Sequence, residues 1–179
     1  MTSLTIDPAL QPLWAYWCAR RGDAGAPGFD IVDQAALGPV ADRVLVVRRE
    51  GPRFRYINVG ATVRSIYGYP MEGLFLDIAP PPNRREAAIQ RYALACDSGR
   101  PLLSRNGYEV STNLRFVVER LILPLANVNG TIGGVICGHV MRSAAAGATL
   151  GTQTLADPAE DRLEFLEIPQ SAPRLSSAG

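Results

Sequence analysis

Cys137 and His139 stand two residues apart in the run 131–141, TIGGVICGHVM. On an extended strand both side chains leave the same face, so a thiol and an imidazole could meet there. A nucleophilic cysteine needs a lowered thiol pKa, and a histidine base needs a nucleophile and an orienting carboxylate within hydrogen-bond reach. The residues around this pair are glycine and apolar, and nothing in them lowers the thiol pKa. No G-x-S-x-G elbow, H-E-x-x-H pair or P-loop occurs in the chain. His139 is the single histidine and reads as a satisfied structural residue. A ligand contact or haem ligand, and a general base, stand as its alternatives. Glu119 and Arg120 are adjacent on an apolar strand pattern, so they point to opposite faces and cannot converge on one substrate. Arg120 is expected to pair with a neighbouring strand or with the N-terminal helix. No catalytic residue and no metal site is expected, the chain reads as non-enzymatic, and no cofactor is specified.

A binding site is the stronger chemical reading. Tyr56, Tyr67, Tyr69, Tyr92 and Tyr108 offer apolar bodies with polar tips, which suits a small-molecule cavity with a few orienting hydroxyls. Tyrosines half-buried at a rim are the plainer alternative. The candidate pocket is Tyr56, Tyr67, Ile89, Tyr92, Cys137 and His139. Trp14 and Trp17, on one face of an N-terminal helix, either cap the domain's own sheet or also form a homodimer seam.

Composition bounds the rest. The chain has 179 residues, 47% hydrophobic and 20% charged, with a formal net charge of +1. That is the profile of one ordinary globular domain. Arginine pairs at 20–21, 48–49 and 84–85 are scattered, so neither nucleic acid nor a membrane is the expected partner. Three cysteines, Cys18, Cys96 and Cys137, are too far apart for a zinc site or a disulfide framework. No secretory signal and no span of about 20 apolar residues is visible, so a cytoplasmic location is expected.

Those residues need elements to hold them. Residues 8–21 read as a helix opened by Gln11-Pro12 and closed by Gly22. A short helix over 30–39 is capped by Asp30 or Asp33 and stopped by Gly38-Pro39. Strands over 44–49 and 53–59 flank the turn signal Gly51-Pro52 and form a hairpin. Phe54, Tyr56 and Asn58 share one face of the second strand, and the N-terminal helix is expected to cover one of its two faces. The glycines and Pro70 break 60–78 into short helices over about 62–67 and 71–78. The best helix runs from Asn83 to Asp97, with Asn83 and Glu86 in capping-box positions and Ser98-Gly99 at its end. Ile89, Tyr92, Ala93 and Cys96 form its apolar face. Three strands follow, over 101–110, 114–125 and 131–141, the last two joined by a turn at Asn129-Gly130. The glycines of the last strand suit a close approach by another backbone or a ligand. Residues 143–179 read as linker and tail, with a short helix from Asp157 placing Leu163 and Leu166 on one side. The expected organisation is a helical cap (1–39), a core (40–142) and a linker with a flexible tail (143–179). The fold class is α+β, an antiparallel sheet with helices packed on it.

This order of elements resembles the PAS fold, and more specifically a bacterial family of stand-alone PAS-like proteins of about this length. The resemblance rests on Leu13-Trp-Ala-Tyr-Trp17 with Arg21-Gly22, on 27–30, and on Arg53-Phe-Arg-Tyr-Ile-Asn-Val-Gly60. Gly68, Gly73 with Leu76-Asp77, and Glu119-Arg-Leu-Ile-Leu-Pro-Leu125 continue it, over residues 10–142 in all. Asp33 stands where that family tends to show proline. The resemblance implies a five-stranded sheet in the order 2-1-5-4-3, with short helices and one longer helix on one face. It also implies a sensor or protein-interaction module of signal transduction, acting on another signalling protein or its own copy, with any small ligand between the sheet and the long helix.

Overall fold

The computed structural model describes residues 5–21, 25–80, 82–111, 114–143 and 160–169. A 3-10 turn, Pro8–Leu10, runs into α1, Gln11–Arg21. Asp7 caps that turn, its side chain accepting from the Ala9 amide. A second 3-10 turn, Phe29–Ile31, precedes α2, Gln34–Leu37. The Asp33 side chain accepts from the Ala35 amide at 2.9 Å, so Asp33, one of the two expected caps, caps α2. Gly38-Pro39 do not stop the chain's winding. They open a 3-10 helix, Gly38–Arg43, because proline's fixed φ suits a first turn as well as a break.

The hairpin strands are β1, Val44–Glu50, and β2, Arg53–Val59. Then come α3, Ala61–Tyr67, and α4, Pro82–Ser98. β3, Leu102–Ser111, β4, Leu114–Ala126, and β5, Ile132–Ser143, form a meander. Gly130, at φ +82°, supplies the left-handed residue of the β4–β5 turn, and the Asn127 carbonyl accepts from the Gly130 amide there. α4 already begins at Pro82, so Asn83 lies inside the helix rather than at its N-cap. Gly99, at φ +64°, ends α4 with its amide on the Ala95 carbonyl.

The sheet is antiparallel and has six strands, in the order β2-β1-β5-β4-β3-β6, which corrects the expectation of five. The extra strand, β6, is Glu160–Phe165, where a helix from Asp157 was expected. It pairs with β3 from Leu102↔Phe165 to Gly107↔Glu160, so part of the expected tail belongs to the sheet. Leu163 and Leu166 do not share a helix face. Leu163 is 45% exposed on the strand, and Leu166 packs against the apolar layer on the cap side of the sheet. The helix expected over 71–78 is likewise absent. That segment runs along the outer edge of β2, with the Tyr56 and Leu76 amides donating to Leu74 and Phe54 and the Gly73 amide to Tyr56. Pairing the edge satisfies more backbone groups than an isolated turn of helix would.

Two apolar layers sandwich the sheet. On one face the N-terminal segments deliver Leu10, Leu13, Trp17, Ile31, Leu37 and Val40 onto Val44, Val46, Leu103, Leu121, Leu123, Leu125, Ile136 and Val140. On the other, α3, the 71–76 segment and α4 deliver Val63, Met71, Leu76, Tyr92, Ala95 and Cys96 onto Leu45, Val47, Phe54, Tyr56, Leu102, Ile122, Val135 and Cys137. The pairing jumps from Val46↔Asn58 to Val47↔Tyr56, so Ile57 is an extra residue in β2. That bulge turns Val59 onto the same face as Phe54 and Tyr56 and leaves Ile57 exposed. The back of β2 is therefore not covered by the N-terminal helix. There the guanidiniums of Arg53 and Arg55 lie over the Phe75 ring at 3.6 and 4.0 Å.

Candidate functional site

The helix-covered face of the sheet carries a buried polar row among its apolar side chains. Ser104 of β3 pairs with Arg120 of β4, and Arg120 pairs with His139 of β5, so three polar side chains stand abreast across three strands. β1 ends its pairing at Val44↔Gly138, so this row lies beyond the β1–β2 hairpin, at one end of the sheet. All three are buried, as is Asn106 one step along β3. Burying such groups is costly unless they are bonded, and here they are. Arg120 Nη1 donates to Asn106 Oδ1 at 2.7 Å, and Ser104 Oγ donates to the same oxygen at 3.1 Å. Arg120 Nη2 donates to the Tyr67 phenol oxygen at 3.1 Å. Tyr67 reaches the row because it is the last residue of α3, where Gly68, at φ +70°, turns the chain away.

His139 completes the cluster. Its ring meets Tyr67 edge-on at 5.8 Å between centroids. Nδ1 lies 3.3 Å from the Cys137 carbonyl, and since a carbonyl only accepts, the proton sits on Nδ1. The Cys137 Sγ is 3.9 Å from Nε2. Burial, with the Arg120 charge alongside, pushes the imidazole pKa down to about 3. Burial pushes the Cys137 thiol up to about 12, against the opposing pull of Arg120, Tyr92 and Arg91. A thiolate–imidazolium pair needs the opposite shifts, so at neutral pH both groups are uncharged. Burial also raises the Tyr56 and Tyr92 phenols well above their ordinary value, keeping both as neutral donors.

All six expected pocket residues meet on this side of the sheet. Tyr56, Tyr92 and Cys137 are inside the helix-side core, Tyr67 and Ile89 are half-buried at its margin, and His139 abuts Tyr67. Tyr69 joins them, 6.0 Å from Tyr67. The Tyr108 side chain lies outside the described residues. Arg120, Asn106 and Ser104 were not expected in this site. Their sequence signal is modest: Ser104 and Asn106 alternate along β3, and Arg120 interrupts an apolar run. Among the described residues no three histidine, cysteine or acidic side chains converge as a metal site. His139 Nε2 faces the Cys137 Sγ within the buried helix-side core.

The opposite face holds the other polar residue of that adjacent pair. Glu119 Oε1 accepts from the Asp7 amide at 2.6 Å, and Oε2 accepts from Arg105 Nε at 3.0 Å. Asp7 Oδ2 accepts from Arg142 Nε at 2.9 Å. These residues, with Val117 and Val140, line a groove of about 340 Å³. The expected divergence of Glu119 and Arg120 holds, and Arg120 takes a neighbouring strand together with α3. Trp17 is enclosed under the cap, its indole N–H donating to the Pro124 carbonyl at 2.9 Å. Trp14 is half-buried and stacked on it at 5.9 Å. Only Trp14 could therefore present surface to a partner.

No family model, curated protein or solved structure matches this chain. Among the described residues no helix is long and apolar enough to cross a membrane.

Proposed function

We propose that this chain is a non-enzymatic, PAS-like sensor module of bacterial signal transduction, which binds a small molecule between the sheet and α4 and reports through contact with another protein. The observation that supports it is the buried row Ser104–Arg120–His139, closed by Asn106 and Tyr67. A row of apolar side chains would pack there at no desolvation cost, whereas a guanidinium, a neutral imidazole and phenol hydroxyls in an apolar shell suit a ligand carrying an acceptor group. The pKa shifts of Cys137 and His139, both far from neutrality, speak against the general-base alternative.

Native mass spectrometry of the protein purified from its own host tests this reading. The expected result is a bound small molecule, lost from an Arg120→Met variant whose circular dichroism is unchanged. A bare chain mass under every growth condition overturns the ligand-binding reading.

A further inference from the structure

The dipeptide Asn-Gly occurs twice in the chain, at Asn106-Gly107 and at Asn129-Gly130. Asparagine before glycine carries a chemistry of its own. With no Cβ on the following residue, that residue's amide nitrogen can approach the asparagine side-chain carbonyl. The fold sets the two copies in opposite circumstances.

Asn106-Gly107 lies in the middle of β3. Asn106 pairs with Val118 and Asp161, and Gly107 with Val117 and Glu160, so strands on both sides hold this backbone extended. The Asn106 side chain is enclosed, its Oδ1 accepting from Arg120 Nη1 at 2.7 Å and from Ser104 Oγ at 3.1 Å. Bringing its Cγ onto the Gly107 nitrogen requires β3 to open.

Asn129-Gly130 lies at the tip of the β4–β5 turn, where residues 127–131 are all exposed. The Gly130 amide donates to the Asn127 carbonyl at 2.9 Å, a turn bond in solvent that opens far more readily than a strand ladder. Asn129 Oδ1 accepts from the Thr131 amide at 3.1 Å and from Thr131 Oγ1 at 2.7 Å. The ring closed by that Thr131 amide contains the Gly130 nitrogen, so the carboxamide is held beside it. The same two donors face the oxygen that turns negative when Cγ is attacked, as an oxyanion hole does.

We propose that Asn129 is a site of spontaneous deamidation through a cyclic imide, and that the sheet spares Asn106. Base takes the Gly130 amide proton, the nitrogen attacks Asn129 Cγ, and an N–Cγ bond forms. The Cγ–Nδ2 bond breaks, and Nδ2 leaves as ammonia with a proton returned from the base. Water then opens the imide at either carbonyl, giving an aspartyl or an isoaspartyl linkage. One water enters and one ammonia leaves. The turn gains a negative charge, and Thr131 is the positioning residue. Sparing Asn106 keeps a new carboxylate away from Arg120.

Peptide mapping by mass spectrometry tests this on the full chain, incubated in mildly alkaline buffer with and without guanidinium chloride. In the native chain Asn129 is expected to convert about tenfold or more faster than Asn106, because only the second needs β3 to open. In denaturant the two are expected to convert at similar rates. Thr131→Val is expected to slow Asn129 severalfold in the folded chain and not in the denatured one, while Thr131→Ser keeps the native rate. Conversion of Asn129 no faster than that of Asn106 in the native chain overturns the proposal. So does a preference for Asn129 that survives denaturation unchanged, or a folded Thr131→Val chain that reacts like wild type.

Discussion

Arg120 on β4 donates through Nη2 to the Tyr67 phenol oxygen at 3.1 Å, tying the middle of the sheet to the last residue of α3. This bond links the buried polar row on the helix side to the short helix that closes it. Tyr67→Phe removes the acceptor while keeping the ring against His139. A bond to a charged donor is worth about 1.5 kcal/mol, and that loss is expected in urea unfolding of the variant. An unchanged midpoint with an unchanged slope would show that the guanidinium finds equal support elsewhere.

His139 makes stability depend on pH in a defined window. Its imidazole pKa falls to about 3 in the fold through burial and the Arg120 charge, against about 6.5 in the unfolded chain. The unfolded chain therefore binds a proton that the fold refuses. Stability contributed this way is complete above about pH 6.5 and declines as pH falls toward 3, by about 1.4 kcal/mol per unit for one proton. Because the chain has one histidine, a single imidazole signal in NMR reads the effect directly. It is expected to stay neutral from pH 7 to pH 5, and a midpoint near 6.5 in the folded protein would refute the assignment.

Asp7 gives a second pH-dependent contribution, on the other face. Burial pushes its carboxyl up, but the Ala9 amide, the Arg142 guanidinium and the Arg105 charge together outweigh burial and hold it below its ordinary value. The stability it adds is present above about pH 3.9 and is lost as pH falls through the folded value. Asp7→Asn is expected to cost about 1 kcal/mol at neutral pH, since Arg142 is largely exposed. Thermal unfolding at pH 7 and pH 3 checks it: the gap between wild type and variant should close at the lower pH.

The legibility of this fold divides along physical lines. β1 to β5 announce themselves through β-branched runs and turn residues, and the apolar face of α4 correctly places Ile89 and Tyr92 toward the sheet. β6 was hidden because Glu160–Phe165 has no strong local preference, and only pairing with β3 decides its state. The 71–78 segment departs from its expected helix for the same reason, since its backbone is satisfied by the edge of β2. The extra residue at Ile57 cannot be seen without a partner strand. Nor can the row through Ser104, Arg120 and His139, because registers between three strands are not written in any one of them.

Gly138 marks where the cap meets the sheet. A Cβ there would lie 2.8 Å from both Leu10 Cδ2 and Leu13 Cδ2. The close approach expected of this glycine-rich strand is therefore with the chain's own N-terminal segment. Gly138→Ala is expected to cost about 1–3 kcal/mol by displacing those leucines, and a milder loss is expected when Leu13→Val is added. Limited proteolysis around residues 5–21 measures the loosening. Gly60→Ala is the contrast: its Cβ would meet the Ala41 and Asp42 carbonyl oxygens at 2.4–2.5 Å, backbone atoms with nowhere to go, and no folded protein is expected.

The bond from Trp17 to Pro124 spans 107 residues of sequence. During synthesis α1 emerges long before β4 and β5, the strands it covers. Leu10, Leu13 and Trp17 must wait, solvent-exposed, until the β4–β5 hairpin is in place. A helix made before the strands it covers is thus among the last elements to settle, and a nascent chain stalled before residue 124 presents a bare tryptophan helix to whatever chaperone is at hand.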